Sequence, residues 1–356
     1  MPDAPWDAII VGQGLAGTTL AWHFHDAGQK VLILDANESV TSSKIAAGLI
    51  TPITGQRMTL DPLYDSYFPA AQTFYANIEK QTSTRFFNDR AAIRFLKAAA
   101  EKESWAQRSQ RPEFQRYLCN PQPLPLVEPA LADIGGGGFA MQAAQLDVAV
   151  YLSASAKHLP TQSAVVDWNR DVTLHAGAID VAGFRTHRLI SCEGYAATRS
   201  PYFNFVRFRA AKGEILKVQF DTPLPSHVLH HGIWLAPTAD AQVFRAGSTY
   251  DWQTLDQVPT ASARDDIERG LRELLRVPYR VIDHQAAVRP IIQESKALVG
   301  LHPAHASLGF FNGLGSKGAL LAPWFAQQFT DYLVRGAPIA QRIDVRRHVL
   351  PDRIQS

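Results

Sequence analysis

Apolar residues near the start of the chain fall in short runs separated by glycine. In WDAIIVGQGLAGTTLAWHFHDAGQKVLILDAN (residues 6–37), an apolar run from Ala8 to Val11 meets a glycine turn, a helical stretch follows, Gly28 stops it, and Val31 to Leu34 form a second run. The pattern predicts strand, helix, strand. A parallel strand pair needs a crossover, and the helix supplies it, so the first elements read as one βαβ unit. After about residue 60 the alternation fades into the aromatic and charged RFFNDRAAIRF and the helical AAAEKESWAQRSQR. NPQPLPLVEPAL (residues 120–131) and the four glycines Gly135 to Gly138 read as turns and irregular connection.

The pattern then changes twice. LDVAVYLSASAKHL is helical, SAVVDWNRDVTLHA carries a strand, and HRLISCEGYAAT is an apolar run ending in a glycine turn, as if the chain returned to its first unit. GEILKVQF, GIWLAPTA and QVFRAGSTYDW alternate with the period of half-buried strands and predict an antiparallel sheet. ARDDIERGLRELLRV places Ile267, Leu271, Leu274 and Leu275 on one helical stripe. LGFFNGLGSKGALLAPWFAQQFTDYLV closes the series as strand, glycine loop and helix. The expected fold class is α/β (α+β overall): a Rossmann-type domain with a second, mainly antiparallel β-sheet domain. The expected boundaries are 1–80, 145–205 and 295–356 for the first, discontinuous domain, and 81–144 and 206–294 for the second.

A chain of 356 residues that is 46% apolar can bury two such cores. The formal net charge of +2 gives no whole-molecule field that would argue for nucleic acid or an anionic membrane. Cys119 and Cys192 lie far apart without metal-ligand spacing, which points away from a disulfide framework or zinc site and towards a reducing compartment. MPDAPWDAIIVGQG lacks the basic segment and cleavage site of a secretory leader, and no run reaches the ~20 apolar residues of a membrane span. A cytoplasmic protein with no metal is expected.

Gly12, Gly14 and Gly17 fit GxGxxG, with Leu15 and Ala16 opening the helix. Gly12 permits the tight turn, Gly14 lets the backbone approach a pyrophosphate, and Gly17 permits close helix–sheet packing. The helix N-terminus offers N–H groups and a positive dipole end to phosphates. Asp35 ends the second strand, where a carboxylate can accept hydrogen bonds from a ribose diol. The competing readings are an ordinary turn and a solvated strand-end acid, and the motif alone leaves FAD and NAD both open.

Five motifs in order change that balance: VGQGLAG, SSKIAAGLITP (residues 42–52), KGEIL (212–216), AVRP (287–290) and GLGSKGALLAP. Together they resemble the FAD-dependent amine and amino-acid oxidase family that includes D-amino-acid oxidase, glycine oxidase and sarcosine oxidase, over nearly the whole chain. The resemblance implies FAD as cofactor. Its ADP half would sit on the first loop, and the segment with Ser42, Ser43, Ala46, Ala47, Gly48 and Leu49 would run along the pyrophosphate and flavin ring. Val165 would meet the adenine through its backbone, and the Gly194 turn would lie near the pyrophosphate. Gly313, Leu314, Gly315, Ser316, Lys317 and Gly318 would lie against the pyrimidine edge of the flavin, with a helix N-terminus facing the negative charge that develops there.

The same resemblance implies oxidation of a C–N bond by hydride transfer to flavin N5, with an anchor for the substrate carboxylate. Arg289 of AVRP matches the family's carboxylate-holding arginine, and its planar fork suits that pairing. Lys317 and Arg57 fall near the places of cationic residues in sarcosine oxidase, and Tyr250 is a candidate pocket aromatic. Three cations there favour a small anionic substrate that has several acidic groups or is elongated. The plainer readings are a capping or snorkelling Lys317, a surface ion pair for Arg57, a rim aromatic for Tyr250, and structural roles for His284 and Cys192. No cysteine follows Cys192, so a flavin held without a covalent bond is expected, unlike sarcosine oxidase. Alternative functions are a tRNA wobble-uridine modifying oxidoreductase of the same fold, a flavin subunit or dehydrogenase passing electrons to a partner, and an NAD-dependent dehydrogenase. A tRNA enzyme should carry a basic stripe, and RIDVRRHVL is the one modest cluster.

Overall fold

The computed structural model describes residues 5–55, 57–97, 99–119, 130–132, 137–293 and 297–348. Of the turns expected over residues 120–131 and 135–138, residues 120–129, 135 and 136 lie outside the described residues. The first strand, Ala8–Val11, pairs in parallel with Val31–Asp35 on one side and Leu189–Ser191 on the other. Thr161–Ser163 and Leu308–Asn312 extend this parallel sheet, and Leu298–Leu301 closes its far edge antiparallel. Both faces are covered, as parallel sheets require. Ala8, Ile10, Val31 and Ile33 meet helices Leu15–Asp26, Tyr64–Thr82 and Gly318–Arg335. Ile9, Val11, Leu32 and Leu34 meet a small antiparallel sheet of Val172–His175, Ala178–Val181 and Phe184–Thr186.

The second sheet has seven strands in the order Arg280–Arg289, Ala211–Gln219, Val243–Gly247, Ile233–Pro237, Val228–His231, Ala92–Phe95 and Gly138–Met141. Its pairs are antiparallel except Val228–His231 with Ala92–Phe95. Helix Ala261–Leu274 lays Ile267, Leu271 and Leu274 on one face, against Leu216, Val218, Leu235 and Phe244. The alternate positions point the other way, and they form the floor described below.

Two expectations need correction. Helix Tyr64–Thr82 occupies the region where the alternation fades. Its buried Tyr64, Tyr67, Ala71, Phe74, Tyr75, Ile78 and Thr82 repeat at helical spacing, and the helix runs through Pro69, which has no N–H to give to the Asp65 carbonyl. The strand expected through Val165 stops at Ser163; Val165 stands just past its end and is 74% exposed.

Among the described residues no helix is long and apolar enough to cross a membrane, and no group of His, Cys, Asp and Glu could hold a metal ion. His23 and His230 are buried so that desolvation holds each well below the usual histidine value, at about 4. The unfolded chain therefore binds protons that the folded chain refuses, and this part of the stability is present above pH 6.5 and is lost as pH falls towards 4. His23 stacks on Phe74 at 4.9 Å, so His23→Phe keeps the packing. The thermal midpoint of this variant is expected to fall less between pH 6.5 and 4 than that of the parent; equal slopes would remove His23 as a cause.

Candidate active site

One cavity of about 1390 Å³ runs between the two sheets, beyond the roughly 300–1,000 Å³ of a drug-sized ligand's pocket. It is lined by Gly12, Gly14, Leu15, Ala16 and Asp35 of the first unit and by Leu314, Gly315, Ser316, Lys317 and Gly318 of the second loop. Gly17 and Gly313 shape the two turns without lining the wall. The helices behind the turns converge: a Cβ on Gly318 would stand 2.8 Å from Leu15 Cδ1.

The first loop is built for close approach. Gly12 holds φ +106°, and a Cβ there would meet the Cys192 carbonyl oxygen at 2.7 Å; a Cβ on Gly17 would stand 1.9 Å from the Gly12 carbonyl oxygen. The Asp35 carboxylate accepts from the Gln13 N–H at 2.6 Å and the Asn37 N–H at 2.8 Å, which fixes it at the strand end facing the cavity. Ser43 accepts from the Leu15 N–H at 3.1 Å and ties the segment after the second strand to the first helix.

Ser42, Ser43, Ala46, Ala47, Gly48 and Leu49 all line the cavity. Gln145 donates to the Ala47 carbonyl at 3.0 Å, and Arg245 donates to the Ala46 carbonyl. The need for glycine at Gly48 is set by the strand Ala144–Leu146, because a Cβ would stand 1.9 Å from the Leu146 carbonyl oxygen at φ +68°. Close passage of a flat ring is not required to explain it.

Val165 and Gly194 line the same end as Asp35. Asn312 joins this end to the second loop, donating to the Gly194 carbonyl at 2.8 Å while its Oδ1 accepts from the Gly313 N–H at 2.8 Å. Glu193 also lines the cavity, accepting from Ser191 Oγ and Trp168 Nε1, both at 2.8 Å, and burial pushes its pKa up. Neither Asn312 nor Glu193 stood out in the sequence, since each acts through a partner more than a hundred residues away or through a turn that only the fold defines. Cys192 is buried, and burial pushes its thiol well above the usual range, as for an inert packing residue.

At the second loop Lys317 precedes helix Gly318–Arg335 without capping it by its side chain; its Nζ lies 3.6 Å from Asp61 Oδ2. Arg57 is exposed and lines the cavity. Arg289 is half-buried on the wall. Its Nη1 donates to the Thr249 carbonyl at 3.1 Å, and its guanidinium stands 4.2 Å from the centre of the Tyr250 ring. Among the described residues no carboxylate lies within ion-pair distance of Arg289, and desolvation lowers its pKa. The guanidinium lies over Gly213, where a Cβ would stand 2.0 Å from Nη2. Gly213 is thus a seat for the arginine, and the paired strands bring KGEIL beside AVRP through Gly213 and Ala287.

Tyr250 is 50% exposed and stacks on Trp252 at 6.0 Å, so it is both a rim aromatic and the face under Arg289. His284 stands 2.8 Å from Glu214 and does not line the cavity. Glu214 also accepts from the N–H and hydroxyl of Thr260, the cap of helix Ala261–Leu274, so His284 belongs to a structural cluster.

A family profile described as FAD dependent oxidoreductase matches residues 7–332. Glycine oxidase from Pseudomonas putida is 35% identical over 118 residues, which is 33% of this chain and 32% of that protein. The alignment thus spans about a third of that relative's length. Glycine oxidase from Geobacillus kaustophilus superposes with a TM-score of 0.79 at 19% identity, covering 97% of this chain and 100% of that one. Iminodiacetate oxidase from Chelativorans sp. superposes with a TM-score of 0.74 at 19% identity, covering 95% and 98%.

Proposed function

The chain belongs to the FAD-dependent oxidoreductase family, and from that premise we propose that it oxidises the C–N bond of an amino acid or secondary amine bearing a carboxylate. The observation that carries the reading is Arg289: a half-buried guanidinium, held by a backbone carbonyl and an aromatic face, with no carboxylate partner among the described residues, on the wall that also carries the second glycine loop. A carboxylate is the group that such a fork binds in two places. Glycine oxidase and iminodiacetate oxidase, among the similar proteins, are named for substrates of this kind.

The donor set fits FAD. Gly14 and Ala16, at the start of the first helix, bring backbone N–H groups to the cavity for a pyrophosphate, and Asp35 keeps acceptor capacity for a ribose diol. The loop from Leu314 to Gly318 brings a second helix N-terminus and the Lys317 ammonium to the same cavity, where positive potential favours an electron-rich ring. When bound, FAD supplies the hydride acceptor. The protein then has to bind the substrate carboxylate at Arg289, bound its stem with Tyr250, and hold the amine against the cavity floor. Asp61 keeps Lys317 oriented, and Arg57 stands further along the wall.

On this reading residues 1–80, 145–205 and 295–356 hold the cofactor, while 81–144 and 206–294 hold the substrate. The flavin is held without a covalent bond, so acid precipitation should leave a colourless pellet and a yellow supernatant; a yellow pellet contradicts it. The two free cysteines, Cys119 and Cys192, support a reducing, cytoplasmic compartment. Incubating the yellow protein with carboxylated amines in air should release the oxo-acid together with ammonia or an amine. Turnover confined to amines without a carboxylate would overturn the reading.

Gly213→Ala tests the seat of Arg289 without touching its charge. The added Cβ displaces the guanidinium, and KM for a carboxylated substrate is expected to rise about tenfold, the loss of roughly one hydrogen bond to a charged group. Unchanged KM would show that Arg289 does not need Gly213.

A further inference from the structure

We propose that the cavity takes an elongated substrate with a second anionic group, a carboxylate or phosphate, bound in a cationic lobe at the opposite end of the cavity floor from Arg289. This rests on the C–N oxidation reading and adds the substrate class. The floor of the cavity is one transverse row of the seven-stranded sheet. Ile215 is level with Gly247, Gly247 with Trp234, Trp234 with His230, and His230 with Arg94. All five line the cavity. From Gly247, beside Thr249 and the Arg289 guanidinium, to Arg94 is three strand spacings, or about 14 Å.

The far end of this row is positively charged. Arg94, Arg57 and Arg108 line it, with Glu101 as the facing acid and Lys97 at its edge. Arg94 donates from Nη2 to Glu101 at 2.9 Å and from Nη1 to the Gly55 carbonyl at 2.8 Å. Arg108 donates to the Met58 carbonyl at 2.9 Å, and Lys97 pairs with Glu273. Among the described residues neither Arg57 nor Arg108 has a carboxylate within ion-pair distance. Among the described residues of this lobe, Glu101 is thus the one acid that lines the cavity beside three guanidinium groups.

Two buried side-chain nitrogens in this row have no hydrogen-bond partner among the described residues. The Arg94 side chain is 2% exposed, yet its Nε has no hydrogen-bond partner. His230 Nδ1 is also buried without a partner, and desolvation with the nearby Arg94 charge keeps this ring neutral at neutral pH. Buried polar atoms of this kind are ordinarily satisfied, by protein, water or ligand. Between the two charged ends the row holds Gly247 and the Trp234 ring, and the apolar Ala92, Val228 and Met141 line the cavity beside Arg94. The occupant so described is anionic at both ends and apolar between them.

The test uses purified flavin-containing protein and two series of non-oxidisable probes of increasing length: straight-chain monocarboxylates and the matching α,ω-dicarboxylates. Binding is read by the shift in flavin absorbance and by calorimetry. At the length that spans the row, the dicarboxylate is expected to bind at least about tenfold more tightly than the monocarboxylate, as for one charge-assisted pair. That ratio is expected to collapse towards one in Arg57→Ala/Arg108→Ala, which spares the buried Arg94. A third series ending in a phosphonate identifies the distal group by which acid binds more tightly. No advantage at any length, or an advantage that survives the double substitution, overturns the proposal. Failure of the C–N oxidation reading shows separately, as monocarboxylate binding that is indifferent to Arg289→Met.

Discussion

Replacing Arg289 by Met raises KM for a carboxylated amine by about 30-fold to several thousand-fold, while the purified protein keeps its full complement of FAD. The range follows from the cost of truncating one partner of a buried, hydrogen-bonded charge pair, about 2–5 kcal/mol, converted at tenfold per 1.4 kcal/mol. The large effect is expected because the guanidinium is already positioned. The Thr249 carbonyl, the Tyr250 face and the flat seat at Gly213 hold it in place before substrate arrives, so little ordering is left to do on binding. Methionine fills the stem without the fork. Steady-state kinetics with the flavin-to-protein ratio as control decide the matter; an unchanged KM would place the substrate carboxylate elsewhere.

Gly17→Ala is expected to yield protein that purifies without flavin and melts at a lower temperature. The new methyl carbon would stand 1.9 Å from the Gly12 carbonyl oxygen, a backbone atom in a turn that has little room to yield. The helix start must back away from the strand, and the N–H groups of Gly14 and Ala16 that would face a pyrophosphate move with it. Overpacking of this sort costs about 1–3 kcal/mol or more, before the lost cofactor adds its own share through mass action. Gly28→Ala is the control. Gly28 also has positive φ, +74°, but open space lies around its missing Cβ, so this variant carries only backbone strain of about 1–2 kcal/mol. It should stay yellow. If Gly17→Ala retains flavin as well as Gly28→Ala does, the first loop does not hold the cofactor.

The two glycine loops could be read from the sequence because their chemistry is local. Each needs a strand, a turn with positive φ and a helix start within about fifteen residues, and local periodicity carries that much. The stripe of Ile267, Leu271 and Leu274 was legible for the same reason. Helix Tyr64–Thr82 was present in the pattern but obscured by Pro69 and by an interior built from tyrosines and phenylalanines, which also favour strands. The floor row was hidden altogether. His230 and Arg94 meet through a parallel pair between strands more than a hundred residues apart, and no spacing along the chain announces that register. The demand for glycine at Gly48 comes from the crossing of Leu146, a contact between segments almost a hundred residues apart that only the fold reveals. Arg289 matched a motif, but its dependence on Gly213 needed the strand pairing that sets KGEIL beside AVRP.

The most direct measurement is anaerobic mixing of the yellow protein, parent and Arg289→Met, with glycine, N-alkyl glycines, D-amino acids and dicarboxylic amino acids. Bleaching of the flavin by at least one carboxylated amine in the parent, with half-saturation moved to much higher concentration in Arg289→Met, is the predicted result. A flavin that none of these amines reduces, or that both proteins reduce alike, would contradict an FAD site facing an arginine-bound acid.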